Sequence, residues 1–354
     1  MTNRTKPAVA ALLALLLALS MAACALPSPV PVEDGSPTLA SDFTPSDTTT
    51  AESGGAYAVD TTDMAGNAVQ LSAFPERIVV LDPGDCEILF AIGAGASVVG
   101  RSLTCDYPAE VNLLPYATAN GRNDPDVLLL REPQLVIMGA EDAADTELVD
   151  TLKANGVAIA VTNVTDVNNM YGAIALLGAL TNHVTEANTL VSELVTAVGT
   201  MQTKVSAHDD TVYFELTPLK KGATTLGGAT FFSSLISLMG YHNEFEDQQG
   251  LISVTQDQVV GRSPDIILTA EKEPSPDAVV VTPDPSATPD PDAGALLGKA
   301  EILARSEWST VDAIANGKVF YFDPALITRA GPRMIEGMNA LYTLLYQNTQ
   351  PEFK

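Results

Sequence analysis

Short apolar runs and helix-like apolar spacing alternate in two separate halves of the chain. In the first half, "RIVVLD" (77–82), "PQLVIMG" (133–139) and "VAIAVTN" (157–163) are rich in β-prone residues, whereas "ADTELVDTLKANG" (144–156) has apolar residues at helical spacing and ends in glycine. Such alternation is typical of an α/β lobe with a mostly parallel sheet. Alternating residues around "AGN" (65–67) predict a hairpin in front of it.

The alternation restarts in the second half of the chain. Its predicted strands and helices are, in order, "TVYFEL" (211–216), "FFSSLISLMG" (231–240), "PDIILTA" (264–270), "GKVFYFD" (317–323) and "PRMIEGMNALYTLLYQ" (332–347). The sequence therefore predicts two Rossmann-like α/β lobes, an N-terminal lobe over residues 57–165 and a C-terminal lobe over residues 208–349.

The segment between the lobes, residues 166–207, has a helical pattern throughout. Its longest helix, predicted over 185–205, repeats apolar residues every three or four positions and has Thr185 as a candidate N-cap. At 1.5 Å per residue this helix would reach about 30 Å, the width of a small domain. We expect it to be the single backbone helix that joins the lobes, and such a rigid connection predicts small closure motions instead of wide hinging.

Both lobes contain the same phrase. "DVLLLREPQLVIM" begins at Asp126 and "DQVVGRSPDIIL" begins at Asp257, and each has a proline seven positions after the aspartate, followed by a β-prone run. In each lobe, this repeated sequence pattern leads into one of the later predicted strands. This repetition indicates that the lobes are structural relatives and that the two aspartates occupy equivalent places.

The N-terminal part has the pattern of an export and tethering segment. Residues 1–23 combine basic residues with an apolar run that is too short for a comfortable membrane span, as in a signal peptide. "SMAAC" (20–24) resembles a lipobox, which makes Cys24 the predicted lipidated residue and membrane anchor; an ordinary cleaved signal peptide is the alternative. Residues 24–56, rich in Pro, Ser, Thr, Asp and Gly, predict a flexible linker.

A second Pro- and Asp-rich stretch interrupts the C-terminal lobe at residues 271–297. Its prolines are incompatible with regular strand ladders. We interpret this stretch as a surface-loop insertion, and a functional lid is the alternative.

The charge balance is strongly acidic. The 354 residues include 18 Lys and Arg against 44 Asp and Glu, a net charge of -26. A nucleic-acid binder needs a basic stripe that releases counterions, so this composition argues against nucleic acid as a partner. Besides Cys24 the chain contains Cys86 and Cys105, which outside the cytoplasm can either pair or stay free.

The sequence contains no motif that indicates catalysis. "GAGASVVG" (93–100) includes a G-x-G, but it follows a helical segment and precedes a strand, which reverses the order of a dinucleotide fingerprint. A nucleophile elbow, an H-E-x-x-H zinc motif and a C-x-x-C pair are all missing from the sequence. We therefore predict that the protein is not an enzyme and has neither catalytic residues nor a resident cofactor.

Several segments together resemble one family of transport proteins. They are "RIVVLDPGDCEILFAIGAGASVVGRSLTCDYPAEV" (77–111), "DPDVLLLREPQLVIM" (124–138), "EWSTVDAIANGKVFYFD" (307–323) and "DPALITRAGPRMIEGMNAL" (323–341). These segments are similar to solute-binding proteins that feed ABC importers for metal chelates, namely the cobalamin-, siderophore- and haem-binding proteins. The resemblance covers roughly residues 57–270 and 300–347.

The resemblance implies both a fold and a function. The fold is that of a class III periplasmic binding protein, in which a single rigid helix bridges two α/β lobes. The function is that of a monomeric, extracytoplasmic receptor that captures an iron-siderophore or cobalamin-type chelate in the cleft between the lobes. The partners are a dimeric ABC permease with its ATPase, to which the receptor delivers the chelate.

The resemblance also implies a role for the repeated aspartates. In the relatives, a carboxylate at the start of a short helix on the top surface of each lobe docks to arginines of the two permease subunits. Asp126 and Asp257 fall at those places, although the family residue is more often glutamate. Charges of this kind steer encounter and set orientation more than they add affinity. The alternative is that each is a helix N-terminal acid favoured by the macrodipole.

In a two-lobed binder the ligand lies in the cleft, at the loops that leave the strand ends. The predicted contacts are Asp85, Cys105, Tyr107 and Met138 in the N-terminal lobe and Thr217, Lys220, Phe231 and Arg329 in the C-terminal lobe. Tyr107 and Phe231 would give flat apolar contact to a macrocycle or an aryl chelator. Lys220 and Arg329 would meet an anionic group. The alternatives are core packing for Phe231, a turn-capping role for Arg329 and full solvation for Lys220.

The sequence narrows the class of ligand. It has 3 histidines, which argues against a bare metal ion, because the related zinc and manganese sites use several His and carboxylate ligands. Strongly anionic catecholate chelates need several basic residues in the cleft, so we favour a near-neutral corrinoid or a hydroxamate-type ferric chelate. One alternative is a haem receptor, since Tyr107, Met138 or Cys105 could ligate iron. Another is a surface adhesin or sensor that works without a transporter.

Overall fold

The chain forms two sets of strands and helices, and the longest of the described helices leads from one set to the other. The structure, a computed structural model, describes residues 58–273 and 296–353. Its strands are β1 (Val59–Thr62), β2 (Ala68–Leu71), β3 (Ile78–Val80), β4 (Val98–Arg101), β5 (Thr118–Ala119), β6 (Arg122–Asn123), β7 (Leu135–Gly139), β8 (Ala158–Thr162), β9 (Thr211–Glu215), β10 (Thr224–Leu226), β11 (His242–Asn243), β12 (Leu251–Ser253), β13 (Ile266–Thr269) and β14 (Val319–Tyr321). Its α-helices are α1 (Pro83–Ala91), α2 (Pro125–Leu129), α3 (Ala140–Ala143), α4 (Thr146–Ala154), α5 (Val167–Thr181), α6 (Val184–Gln202), α7 (Phe231–Leu238), α8 (Gln256–Arg262), α9 (Gly298–Leu303), α10 (Asp312–Ala315), α11 (Ala325–Thr328) and α12 (Met334–Gln347).

Each lobe is built on a four-stranded parallel sheet. The strand order is β4-β3-β7-β8 in the N-terminal lobe and β11-β9-β13-β14 in the C-terminal lobe. When the strands are counted along the chain within each lobe, both orders read 2-1-3-4, so β7 and β13 are equivalent strands. This confirms the predicted pair of related α/β lobes. The predicted hairpin is present as β1 paired with β2.

Helices α5 and α6 pack closely against each other between the lobes. A Cβ atom on Gly178 would lie 2.5 Å from the Cβ of Ala187, so glycine is needed for this approach. Helix α6 has 19 residues and reaches about 28 Å at 1.5 Å per residue. It starts with His183 at the N-cap and without a side-chain cap, so the predicted capping role of Thr185 is wrong. The chain reverses at Asn182 in the left-handed region (φ 61), which starts α6 earlier than its apolar pattern indicated.

One apolar cluster runs through both lobes and the helices between them. In β3, Ile78 and Val80 face this shared cluster, whereas Val79 faces a separate cluster on the other side of the sheet, as alternation along a strand requires. In β13, Leu268 faces the shared cluster and Ile267 faces a third one. Side chains of α5, α6 and α12 all belong to the shared cluster. The lobes are therefore held together by apolar packing in addition to the covalent connection.

Several predicted segments lie outside the described residues, namely residues 1–23, Cys24, the whole linker 24–56 and residues 274–295 of the insertion. The first residues assigned to the insertion, 271–273, belong instead to the packed C-terminal lobe. Glu271 pairs with Lys221 at 3.2 Å and accepts a hydrogen bond from the backbone N–H of Gly298 at 3.0 Å. Within the two described ranges, no helix combines the length and the apolar character that crossing a membrane requires.

Candidate ligand-binding site

Two adjoining cavities lie at the carboxyl ends of strands β3, β7 and β8. The larger, of about 520 Å³, is lined by residues of the N-terminal lobe such as Ser102 and Asp142. The smaller, of about 190 Å³, is also lined by Thr328 and Arg329 of the C-terminal lobe. Both are bordered by Asp82, Pro83, Gly139 and Glu141. Ligands of open α/β sheets bind at the carboxyl ends of the strands, so these cavities form the candidate ligand-binding cleft.

The turn between β3 and α1 brings the two lobes into contact beside the cleft. Asp82 caps α1, because its Oδ1 accepts hydrogen bonds from the backbone N–H groups of Gly84 (2.7 Å) and Asp85 (3.0 Å). A Cβ atom on Gly84 would lie 2.7 Å from the carbonyl oxygen of Ala330, so a larger residue would push the lobes apart. The start of α1 is therefore both an edge of the cleft and a point where the lobes touch.

Two arginines of the C-terminal lobe pair with two carboxylates of the N-terminal lobe beside this contact. Arg333 donates to Glu87 through Nη2 (2.5 Å) and Nε (3.1 Å). Arg329 donates from Nη1 to Asp106 Oδ1 at 2.5 Å, and the same nitrogen lies 3.6 Å from Glu87 Oε1. The Glu87 side chain is 2% exposed and that of Asp106 is 55% exposed. The Arg333–Glu87 pair is thus largely shielded from water, whereas the Arg329–Asp106 pair is accessible from solvent through Asp106.

Burial and the arginines shift the pKa values of these carboxylates in opposite directions. Burial raises the pKa of Glu87, and the hydrogen bond and charge of Arg333, followed by Arg329, partly offset that rise. The pKa of Asp106 is lowered, chiefly by the hydrogen bond that it accepts from Arg329. Arg329 is therefore a charged cleft residue with an exposed, exchangeable partner.

Asp85, a predicted ligand contact, is buried in the first turn of α1. Its Oδ2 accepts a hydrogen bond of 2.6 Å from Oγ1 of Thr162, at the end of β8. Burial, and next the nearby carboxylate of Asp82, raises the pKa of Asp85 well above its usual value. Only 2% of the residue is exposed, so in this structure Asp85 joins helix to strand beneath the cleft and does not face a ligand.

Replacing Asp85 with asparagine is expected to make folding stability less dependent on pH. The folded-state pKa lies above the unfolded value of 3.8, so the folded state holds the proton more tightly. The free energy of unfolding contributed by Asp85 therefore falls as pH rises from 3.8 through the folded pKa, and Asp85→Asn removes that fall. Urea unfolding at a series of pH values measures this. The exposed Asp150→Asn is the matched control, and equal pH slopes for Asp85→Asn and wild type would contradict the prediction.

Three further predicted ligand contacts lie in the core. Cys105 and Met138 are 0% exposed and Phe231 is 4% exposed. Met138 packs in the cluster that contains Val79, and Phe231 packs in the cluster shared by the lobes. A ligand in the cleft would not touch these side chains in this structure, because they are buried and line neither cavity.

The remaining predicted contacts lie nearer the surface. Tyr107 is 42% exposed, and the Arg333 guanidinium lies 4.2 Å from the centre of its ring, so it borders the interlobe ion pairs. Thr217 is half-buried and its hydroxyl accepts a hydrogen bond of 2.8 Å from Thr224. Lys220 is exposed in a short turn. Of the eight predicted contacts, Arg329 is the one that lines a cavity of the cleft.

The cleft is lined by carboxylates that the sequence reasoning did not single out. Asp82 and Glu141 border both cavities, and Asp142 and Asp145 line the larger one. The Nδ2 of Asn123 donates to Asp142 Oδ1 at 2.7 Å. A signal for these residues exists in the sequence, because Asp82 and Glu141 follow closely on the ends of β3 and β7. Residues that directly follow strand ends lie at the edge of the sheet where ligands bind.

Residues 78–326, more than half of the chain, match the family of periplasmic binding proteins. The chain belongs to the periplasmic binding protein family. This confirms the resemblance found in the sequence, as well as the class III fold that it implied.

Named relatives and solved structures agree with this family assignment. The uncharacterised ABC transporter substrate-binding lipoprotein YvrC of Bacillus subtilis is 25% identical over 301 residues, which is 84% of this chain and 88% of YvrC. A cobalamin-binding protein of Halobacterium salinarum is 22% identical over 302 residues, 83% of this chain and 75% of the relative. The structure of the periplasmic haem-binding protein HutB of Vibrio cholerae superimposes with a TM-score of 0.60, at 21% identity, over 77% of this chain and 99% of HutB.

This periplasmic binding protein has its two repeated aspartates at matched, exposed places. Asp126 lies in the first turn of α2 and Asp257 in the first turn of α8. Each lies nine residues before the start of an equivalent strand, at Leu135 of β7 and Ile266 of β13. A helix that precedes a parallel strand runs antiparallel to it, so its first turn lies towards the carboxyl edge of the sheet, where the cleft also lies. The docking role of the two aspartates stays a prediction.

Proposed function

We propose that this protein is the extracytoplasmic receptor of an ABC importer and that it binds a metal chelate in the cleft described above. The observation that carries the proposal is a pair of polar cavities at the strand ends of the N-terminal lobe, into which Arg329 reaches from the equivalent C-terminal lobe. The family supports a binding role instead of catalysis. Lipidated Cys24 would hold the receptor at the outer face of the cell membrane, and the receptor would work as a monomer.

The charge of the cleft favours a near-neutral chelate. Its carboxylates, Asp82, Glu141, Asp142 and Asp145, outnumber the arginines that line the same cavities, Arg122 and Arg329. A highly anionic tris-catecholate would meet repulsion here that the arginines do not balance. A cobalamin-type corrinoid or a ferric hydroxamate carries less negative charge, so these are the ligands that we propose.

Arg329 would supply the charged contact to the ligand. Its present partner, Asp106, is more than half exposed and can be rehydrated at little cost when a carboxylate or phosphate of the ligand replaces it. Arg333 is less available, because its partner Glu87 is buried and would be left as an unpaired charge. The Arg333–Glu87 pair would therefore keep the lobes joined while Arg329 exchanges Asp106 for the ligand.

A haem ligand is the second candidate, and the exposure of Tyr107 favours it. Of the three residues considered as iron ligands, Met138 and Cys105 are enclosed in the core, whereas Tyr107 is 42% exposed beside the cleft. A phenolate oxygen is an established haem ligand. Tyr107→Phe would therefore remove the haem charge-transfer spectrum if haem is the ligand, and would have little effect on corrinoid binding.

Isothermal titration calorimetry of the protein with cobalamin, haem, a ferric hydroxamate and a ferric tris-catecholate tests the proposal. Calorimetry is preferable to Trp308 fluorescence, because Trp308 is fully buried in the C-terminal lobe in the cluster around Tyr213. We expect binding of cobalamin or the hydroxamate. Arg329→Ala should weaken it about 10- to 100-fold, the value of a hydrogen bond to a charged group. Replacing Lys204, an exposed residue two positions after the end of α6, with alanine should not change it.

The proposal fails if none of these chelates binds with a stoichiometry near one. Binding that survives Arg329→Ala unchanged would place the ligand elsewhere on the molecule. A sensor or adhesin without a transporter would be favoured instead if the genome carried no neighbouring permease and ATPase genes.

A further inference from the structure

A buried arginine at the end of β4 lacks the acidic partner that such a residue normally has. Arg101 is 2% exposed, and among the residues that the structure describes no carboxylate forms an ion pair with its guanidinium. Arg305 of the C-terminal lobe, by contrast, is buried against the carboxylate of Glu215. Burying a charge without such a partner is costly, so Arg101 needs an explanation other than ion pairing.

The guanidinium of Arg101 bonds instead to backbone carbonyls of the loop that follows it. This loop, residues 102–117, connects β4 to β5. Nη1 donates to the carbonyl oxygen of Cys105 at 2.5 Å and to that of Ser102 at 3.5 Å. Nε donates to the carbonyl oxygen of Leu114 at 3.3 Å. The acceptors belong to the first and the last part of the loop, so one side chain ties the two parts together.

Further contacts of Arg101 close the same loop. The guanidinium lies 4.2 Å from the centre of the Tyr116 ring. The backbone N–H of Arg101 donates to the carbonyl oxygen of Pro115 at 3.2 Å, and the carbonyl oxygen of Arg101 accepts from the N–H of Ala117 at 2.7 Å. The described residues of the loop form neither a strand nor an α-helix, so its order depends on contacts of this kind.

The loop that Arg101 holds is a wall of the candidate cleft. Three of its residues line the larger cavity, namely Ser102, Leu103 and Thr104. Asp106 accepts a hydrogen bond from Arg329, the residue that we propose as the charged ligand contact. The ring of Tyr107 lies against the guanidinium of Arg333. Arg101 itself lines neither cavity, so it can act on a ligand only through the loop.

We propose that Arg101 is a positioning residue of the ligand cleft, which holds the loop 102–117 in the shape that ligand binding requires. The inference rests on the proposed function, because that function assigns the ligand to this cleft. A planar guanidinium donates from several nitrogens in fixed directions, whereas the ammonium group of a lysine is a point charge on a flexible stem. Replacing Arg101 with lysine therefore keeps the buried charge and removes the geometry that joins both parts of the loop.

Calorimetric titration of the full-length Arg101→Lys protein with cobalamin and with a ferric hydroxamate tests the inference. We expect the Kd to rise about 10-fold or more, because the lost bonds are hydrogen bonds from a charged group and the loosened loop must be ordered on binding. Measurement at a temperature where circular dichroism shows the protein to be folded separates this effect from a loss of stability.

The matched control is Arg305→Lys, which alters a buried arginine of the other lobe that lines neither cavity. Its Kd should stay within about twofold of the wild-type value, since distant sites act independently. An unchanged Kd for Arg101→Lys would overturn the inference. An equal rise for both variants would also overturn it, because the cause would then be a general loss of rigidity.

Hydrogen exchange of backbone amides tests the same residue without a ligand. In Arg101→Lys, the amides of the loop 102–117 should exchange about 10-fold faster than in the wild type, whereas those of α4 should be unchanged. Unaltered exchange in the loop would refute the positioning role. If the wild type binds neither chelate, the proposed ligand class is wrong, and the exchange rates alone decide whether Arg101 holds this wall.

Discussion

Exchanging both Asp126 and Asp257 for arginine is expected to abolish chelate uptake by cells while ligand affinity changes less than about twofold. Both side chains are exposed in first turns of equivalent helices, so the substitutions meet no core packing. In the docking role predicted for the two aspartates, each substitution would replace a carboxylate that faces a basic pocket of the permease with a charge of the same sign as that pocket. Because like charges across an interface cost several kcal/mol, docking at either lobe alone should be insufficient.

The control for this experiment is an equal change of charge elsewhere on the surface. Glu186 and Glu193 are exposed on α6, so Glu186→Arg/Glu193→Arg alters the net charge by the same amount away from the cleft edge. Uptake of labelled chelate should be lost with the aspartate pair and kept with the glutamate pair. If uptake survives the aspartate exchange, the docking assignment is wrong. If both pairs abolish it, net charge and not position is responsible.

Replacing Arg305 with alanine is expected to lower the free energy of unfolding by about 3–5 kcal/mol, a large share of the stability of an ordinary domain. Arg305 donates to both oxygens of Glu215 at 2.6 Å and 2.9 Å, and the side chains are 6% and 1% exposed. It also lies 4.4 Å from the ring of Trp308 and pairs with Glu301. Without Arg305, the carboxylate of Glu215 would be a buried charge with no arginine to compensate it.

The pH dependence of this loss identifies its cause. Burial already raises the pKa of Glu215 above 4.5, and Arg305 opposes that rise. Removal of Arg305 raises it further, so the folded variant binds a proton that the unfolded chain has released. The deficit should therefore be largest at neutral pH and shrink as pH falls towards 4.5.

Urea unfolding followed by Trp308 fluorescence measures the Arg305 effect, because the chain has 1 tryptophan and it lies in this core. The double variant Arg305→Met/Glu215→Leu, which removes both charges, should recover most of the stability. A double variant as unstable as Arg305→Ala would mean that packing on Trp308, and not the uncompensated charge, carries the effect.

The architecture could be predicted from the sequence because it depends on local periodicity and on a repeat. The alternating runs located the strands of both sheets, and the matched phrases at Asp126 and Asp257 anticipated the equivalence of β7 and β13. Gly156 was expected at the end of a helix and lies after α4 with a positive φ of 75°. These features follow from backbone preferences that act within a few residues.

The cleft was harder to predict because it depends on side-chain direction and on distant pairs. Whether a residue near the end of a strand faces the core or the cleft changes with a single step along the chain. Met138 of β7 is buried in the core, whereas Asp82, two residues after β3, lines both cavities. The pair of Glu87 with Arg333 joins residues 246 positions apart, which no local pattern reports. The contact of Gly84 with Ala330 is likewise a product of how the lobes dock.

Gly84 lies close to the backbone of Ala330, and the Glu87–Arg333 pair is largely buried, so both contacts hold the lobes together. These contacts have a consequence for the rate of import through the transporter. If the angle between the lobes is the same with and without ligand, both states present the same surface to the permease. Ligand-free receptors would then dock to the permease as readily as ligand-bound ones. The rate of import would depend on the ratio of ligand to receptor at the cell surface. Overproducing this protein when the ligand is scarce would slow import instead of speeding it.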